Sequence, residues 1–140
     1  MDRVPVLRLG DVLLVSIQVD LEDRTVVALQ EDLSERIAIT GSHGVVIDIS
    51  ALEIVDSFVG RTLATIASIS RVLDADTVIV GMRPAVAITL VELGVSLPGV
   101  RTALDIEKGL RIIERARGER LGAPVRRGGP DVAPETTTSS

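Results

Sequence analysis

Two short apolar runs, each closed by a turn signal and followed by a segment of helical period, constrain this chain more than any other feature. Residues 45–49 read VVIDI between Gly44 and Ser50, and residues 77–80 read TVIV before Gly81. Runs this short and this apolar fit buried strands of a parallel sheet covered by helices. After the first run, from about Ser57 to Leu73, Phe58, Thr62, Ile66, Ile69 and Leu73 recur along one helical face. After the second, Pro84 stands where a helix can begin, because its missing N–H would be unpaired there anyway. Gly94 is placed to end that helix.

The flanking segments extend the pattern. Residues 4–9 and 12–17 are β-rich runs separated by Gly10-Asp11, a two-residue turn that predicts a hairpin. Val26, Leu29, Leu33 and Ile37 then mark one face of a first helix, with Asp20 or Asp23 available as its cap and Gly41 at its end. A short strand over 100–103 precedes a last helix from Asp105 to about Arg117, capped by Asp105. The predicted order is β-β-α-β-α-β-α-β-α: one α/β domain with a mixed sheet of four or five strands and about four helices. Strands joined through helices imply parallel pairing and right-handed crossovers. Two strand-to-helix loops, 50–57 and 81–84, then emerge at the same end of the sheet, where such folds place their ligands and partners.

Composition narrows the function. The chain of 140 residues has one Phe, no Tyr, no Trp, no Cys and one His. A disulfide-stapled module, a cysteine-based zinc or redox site and a multi-histidine metal site are excluded. Stacking of bases on aromatic platforms has only Phe58 to use. The formal net charge of −5 argues against binding a nucleic-acid backbone or an anionic membrane surface. No run approaches the ~18 apolar residues of a spanning helix, and the first residues do not read as a signal peptide, so a soluble cytoplasmic protein is expected. From Gly118 to Ser140 the chain carries three of the six prolines, four glycines and a closing TTTSS with balanced charge. This composition predicts a domain over 1–117 and a disordered tail over 118–140.

Catalytic constellations are hard to assemble. No G-x-x-x-x-G-K-[ST], G-x-G-x-x-G or G-x-S-x-G pattern occurs in a fitting context. The glycines around Ser42-His43 precede a strand and fit a helix C-cap and turn. His43 would lie at the opposite end of a five-residue strand from Ser57, roughly 15 Å away. It is expected as an exposed turn residue. Asp20, Glu22, Asp23, Glu31, Asp32 and Glu35 make the first helix acidic, which reads either as a solvated face or as a docking surface for a basic partner. No catalytic residue, metal or cofactor is assigned.

The sequence Ile54-Val55-Asp56-Ser57-Phe58 falls where a strand has ended and a helix begins. Asp56 or Ser57 can accept a hydrogen bond from an orphan backbone N–H as N-cap. One reading stops there. The other adds that a serine hydroxyl at a helix N-terminus is a good phosphorylation site, since the dipole and free amides tolerate the added charge. A phosphate there would alter the surface beside Glu53 and Asp56 without unfolding the domain.

A resemblance favours the second reading. The strings Leu13-Leu14-Val15-Ser16-Ile17-Gln18, Gln30-Glu31-Asp32-Leu33, Gly44-Val45-Val46-Ile47-Asp48, Asp56-Ser57-Phe58 and Gly81-Met82-Arg83-Pro84-Ala85-Val86-Ala87, then Leu90-Val91-Glu92-Leu93-Gly94 with Thr102-Ala103-Leu104-Asp105, resemble the STAS-domain family. Within it they resemble the RsbS type, a small antagonist of stressosomes. The match runs over about residues 4–117. The resemblance implies assembly with an RsbR-type STAS co-antagonist into a large complex that holds an RsbT-type switch kinase. It implies that this kinase phosphorylates Ser57, is released to act on sigma-factor regulation, and that a phosphatase resets the serine. Glu53, Asp56, Phe58 and Arg83 are the expected partner contacts. Thr89 corresponds to a second phosphorylatable threonine of RsbR-type relatives and is expected to serve here only in helix packing. The tail after Gly118 has no counterpart in the family pattern. Two other classes stay open: an anti-sigma-factor antagonist that binds an anti-sigma kinase directly as a monomer, and a small-molecule or nucleotide-binding enzyme.

Overall fold

A computed structural model describes residues 4–18 and 23–120. The elements are β1 (Val6–Leu9), β2 (Val12–Ser16), α1 (Asp23–Thr40), β3 (Gly44–Asp48), α2 (Ser57–Val72), β4 (Asp76–Val80), α3 (Pro84–Glu92), β5 (Arg101–Ala103) and α4 (Ile106–Arg120). Their order is the predicted one. The strands lie side by side in chain order as a five-stranded sheet. β1 runs antiparallel to β2 and sets Leu9 opposite Val12, with Gly10 at φ +62° turning the hairpin. β2, β3, β4 and β5 are parallel to their neighbours, so β3 is flanked on both sides.

Alternation along the strands divides the core between two faces. Leu13, Val15, Val45, Ile47 and Ile79 face α1, α2 and α3, and pack with Leu29, Leu33, Ile37, Leu63, Ile66, Val86 and Leu90. Val12, Val46, Val78 and Val80 point the other way, against Ile113 of α4. α4 lies over β3, β4 and β5. Two glycines let it approach: a Cβ on Gly109 would stand 2.9 Å from a Val80 methyl, and a Cβ on Gly44 would collide with Ile113.

Several details differ from the sequence reading, each for a physical reason. Gly44 begins β3 instead of bounding it, because the strand needs a residue without a side chain beneath Ile113. The inward face of α2 is phased on Gly60, Leu63, Ile66, Ala67 and Ser70. Of the predicted face, Thr62 and Ile66 are buried, Phe58 and Ile69 are half-buried, and Leu73 is exposed. The turn histidine is half-buried, since His43 donates its N–H to the Asp11 carbonyl and accepts the Asp76 N–H at its own. α4 continues through Gly118 to Arg120; the rest of the predicted tail, and Asp20 and Glu22, lie outside the described residues.

Candidate functional site

In this topology every strand that leads into a helix ends at the same edge of the sheet. The loop between β3 and α2 and the loop between β4 and α3 therefore lie side by side. The Ile49 N–H bonds to the Val80 carbonyl and carries the pairing past the ends of β3 and β4. Gly81 follows with φ +77°, and a Cβ there would stand 2.8 Å from the Ser50 Cβ and 3.1 Å from its backbone. Only glycine combines this backbone conformation with this approach. On the facing loop the Asp48 carboxylate accepts the Ser50 N–H at 2.9 Å, and Leu52 N–H closes a turn onto the Ile49 carbonyl. Leu52 and Val55 are buried and anchor the loop from below. Glu53, Asp56 and Ser57 are exposed above them, and Ile54 stands 85% exposed.

Asp56, with extended backbone, is the N-cap of α2: its Oδ1 accepts the Val59 N–H at 2.9 Å, and its carbonyl accepts the Gly60 N–H. Ser57 is the first helical residue. Because Asp56 takes the cap, the Ser57 hydroxyl forms no hydrogen bond among the described residues. The backbone N–H groups of Ser57 and Phe58 likewise bond to no described group. The arrangement is an exposed hydroxyl beside two free amides at the positive end of a sixteen-residue helix. The positive end of the helix favours negative charge at this position.

Of the residues expected here, Glu53, Asp56, Ser57 and Phe58 share this turn. Arg83 caps the start of α3 through its backbone only, and its guanidinium reaches the Ser50 carbonyl at 3.4 Å. It forms no hydrogen bond or ion pair with Glu53, Asp56 or Ser57 among the described residues. Sequence reasoning missed Ser50, whose contact with Gly81 joins the two loops; the signal was a glycine immediately after a strand, read only as a stop. It also did not single out Ile54, an exposed aliphatic residue of the same loop. Thr89 donates its hydroxyl to the Ala85 carbonyl at 2.9 Å within α3. Among the described residues no group of three or more potential metal ligands occurs, and no helix is long and apolar enough to cross a membrane.

Comparison with known proteins places this geometry. The STAS domain family model matches residues 3–107. An RsbS of Moorella thermoacetica, solved as a serine-to-glutamate variant, is 41% identical with a TM-score of 0.71, covering 81% of this chain and 97% of that one. A chain from a structure of the stressosome, described as a signal integration and transduction hub, is 42% identical with a TM-score of 0.73, covering 81% and 98%. The RsbT co-antagonist protein RsbRA of Bacillus subtilis is 30% identical over 83 residues, 59% of this chain. The aligned part spans only 30% of that relative's length. The chain belongs to the STAS domain family and, within it, to the RsbS type.

Proposed function

We propose that this chain is a non-enzymatic scaffold of a stressosome-type complex that holds an RsbT-type serine/threonine kinase and releases it when Ser57 is phosphorylated. The observation that carries the reading is the division of roles at the start of α2, where Asp56 fills the cap and the exposed Ser57 hydroxyl forms no hydrogen bond among the described residues. A phosphate at that point adds about −1.5 to −2 charges beside Glu53 and Asp56. The change is confined to the surface, and a partner seated on Glu53, Ile54, Phe58 and Arg83 experiences it as repulsion and desolvation cost. Similarity to RsbS, to a stressosome chain and to an RsbT co-antagonist supports co-assembly with RsbR-type proteins. The output is control of sigma-factor activity in a stress response, in the cytoplasm, with a phosphatase returning Ser57 to its free state.

Incubation with an RsbT-type kinase and ATP tests the acceptor. Wild type is labelled and Ser57→Ala is not; labelling that persists in Ser57→Ala, at Thr89 or elsewhere, overturns the assignment. Sizing of the chain mixed with an RsbR-type protein tests the scaffold. A megadalton assembly supports it, whereas a stable one-to-one complex with the kinase alone assigns the chain to direct anti-sigma-kinase antagonism.

A further inference from the structure

β1 is an end strand of the sheet, and its register with β2 decides which of its backbone groups are left over. The Pro5 carbonyl accepts the Ser16 N–H. Alternation along the antiparallel pair then turns the backbone groups of Leu7 and Leu9 toward β2 and those of Val6 and Arg8 outward. An edge of this kind is a template for a further strand. It also carries aliphatic surface: Leu7 is 55% exposed and Leu9 37%, on the sheet face where α4 lies over β3, β4 and β5.

One of the outward groups is occupied. Arg36 of α1 donates from Nη1 to the Val6 carbonyl at 3.0 Å and from Nε to the Asp32 carboxylate at 3.2 Å. The carboxylate, one helical turn back, holds the guanidinium across the strand edge.

The place of this contact matters for pairing. Two copies of β1 running antiparallel can set Val6 opposite Arg8 of the second copy, so that the two Leu7 side chains meet at the two-fold axis. This register uses both outward residues of each strand and keeps the two Arg8 side chains from standing directly opposite each other. It exchanges four backbone hydrogen bonds, and the Val6 carbonyls accept two of them. Arg36 covers that acceptor in each copy.

We propose that β1 is a pairing edge for a second copy of this chain, and that Arg36, anchored by Asp32, keeps it closed. Where the guanidinium leaves the Val6 carbonyl, two five-stranded sheets join across the Leu7 pair. The inference stands apart from the phosphoacceptor reading, because β1 and Arg36 take no part in the turn that carries Ser57.

Arg36→Met in the full-length protein removes the guanidinium and keeps an aliphatic stem. With two recovered hydrogen bonds, its self-association in sedimentation velocity should be about thirtyfold tighter than that of wild type. Hydrogen exchange locates the contact: the Val6 and Arg8 amides should gain protection as the variant's concentration rises, and should show no such dependence in wild type. The chain lacks cysteine, so Leu7→Cys reports the axis. Its Cα atoms would stand about 4.5 Å apart across the pair, within disulfide range. Oxidation should link Leu7→Cys faster in the Arg36→Met background than alone, whereas Ile39→Cys, at an exposed position of α1, should link at one slow rate in both. Asp32→Ala leaves Arg36 in place without its anchor and should raise the Leu7→Cys rate part of the way, so the test does not hang on the folding of one variant. Equal association of Arg36→Met and wild type, association without protection of Val6 and Arg8, or linking at position 7 that responds to neither Arg36→Met nor Asp32→Ala overturns the proposal.

Discussion

The Asp56 carboxylate accepts the Val59 N–H at 2.9 Å, and this one bond frees the neighbouring Ser57 hydroxyl from structural duty. Capping thereby falls to Asp56, and the adjacent Ser57 hydroxyl is left for the phosphorylation proposed above. Asp56→Ala should cost about 1 kcal/mol of stability, the usual effect of losing an N-cap. Ser57→Ala should stay within about 0.5 kcal/mol of wild type, as expected for an exposed side chain without a bond. Urea denaturation of both variants checks the division, and equal losses would show that the two residues share the cap.

Ser57→Asp follows from the same geometry. An acidic residue at the first position of α2 meets the positive end of the helix, an interaction of about 0.3–1 kcal/mol that offsets repulsion from Asp56 and Glu53. The melting temperature should remain within a few degrees of wild type, while retention of an RsbT-type kinase weakens. A large fall in melting temperature would mean that charge at this position acts through local unfolding.

The Ser50–Gly81 contact is open to a controlled comparison. Gly81 and Gly94 both have left-handed backbone, at φ +77° and +71°, but only Gly81 has a neighbour within 4 Å of the position a Cβ would take. Gly94→Ala should cost about 1–2 kcal/mol, the penalty for an L side chain in that conformation. Gly81→Ala should cost more, because its Cβ must displace Ser50 backbone as well as side chain. Chemical denaturation measures both, and the excess for Gly81 reports how tightly the two loops are joined.

What could be read from the sequence was whatever local pattern determines. The hairpin was legible because Gly10-Asp11 separates two β-rich runs, and the Asp56 turn because capping chemistry is local. The phase of α2 was legible only in part. The face read as Phe58, Thr62, Ile66, Ile69 and Leu73 holds at Thr62 and Ile66, but the helix is turned toward Leu63, Ala67 and Ser70 and docks closely through Gly60, where an added Cβ would meet a Val95 methyl at 2.7 Å. Small residues leave no hydrophobic signal, so helices that pack through them are misphased by periodicity. The half-burial of His43 and the Ser50–Gly81 contact both depend on the register of β2, β3 and β4, which no single segment encodes.

Close packing of α4 gives a second internal control. Replacing glycine by alanine within a helix ordinarily gains up to about 1 kcal/mol. Gly118 has nothing within 4 Å of a built Cβ, so Gly118→Ala should show part of that gain. Gly109→Ala should lose it and fall below wild type, because its Cβ would press on Val80 at 2.9 Å and on Val78 at 3.4 Å. If both variants are stabilised equally in thermal melts, α4 does not lie as close to the sheet as described.

Asp105 supplies the pH-dependent term. Its Oδ1 accepts the Lys108 N–H at 2.9 Å and its Oδ2 lies 3.6 Å from the Lys108 ammonium. The backbone hydrogen bond, more than the charge of Lys108 and Arg111, holds the carboxyl below its ordinary value of 3.8. The folded state therefore binds this proton less readily than the unfolded chain. The associated stability is fully present above pH 3.8 and is lost as pH falls through the lower folded value. Asp105→Asn keeps a side-chain oxygen to cap α4 but removes the charge. The stability advantage of wild type over Asp105→Asn should be constant at neutral pH, shrink as the pH drops below 3.8, and vanish once the carboxyl is protonated. Denaturation of both proteins across that window, alongside a carbon-13 titration of the Asp105 carboxyl, measures the two quantities independently. An advantage that does not change with pH would assign the α4 cap to shape alone and not to charge.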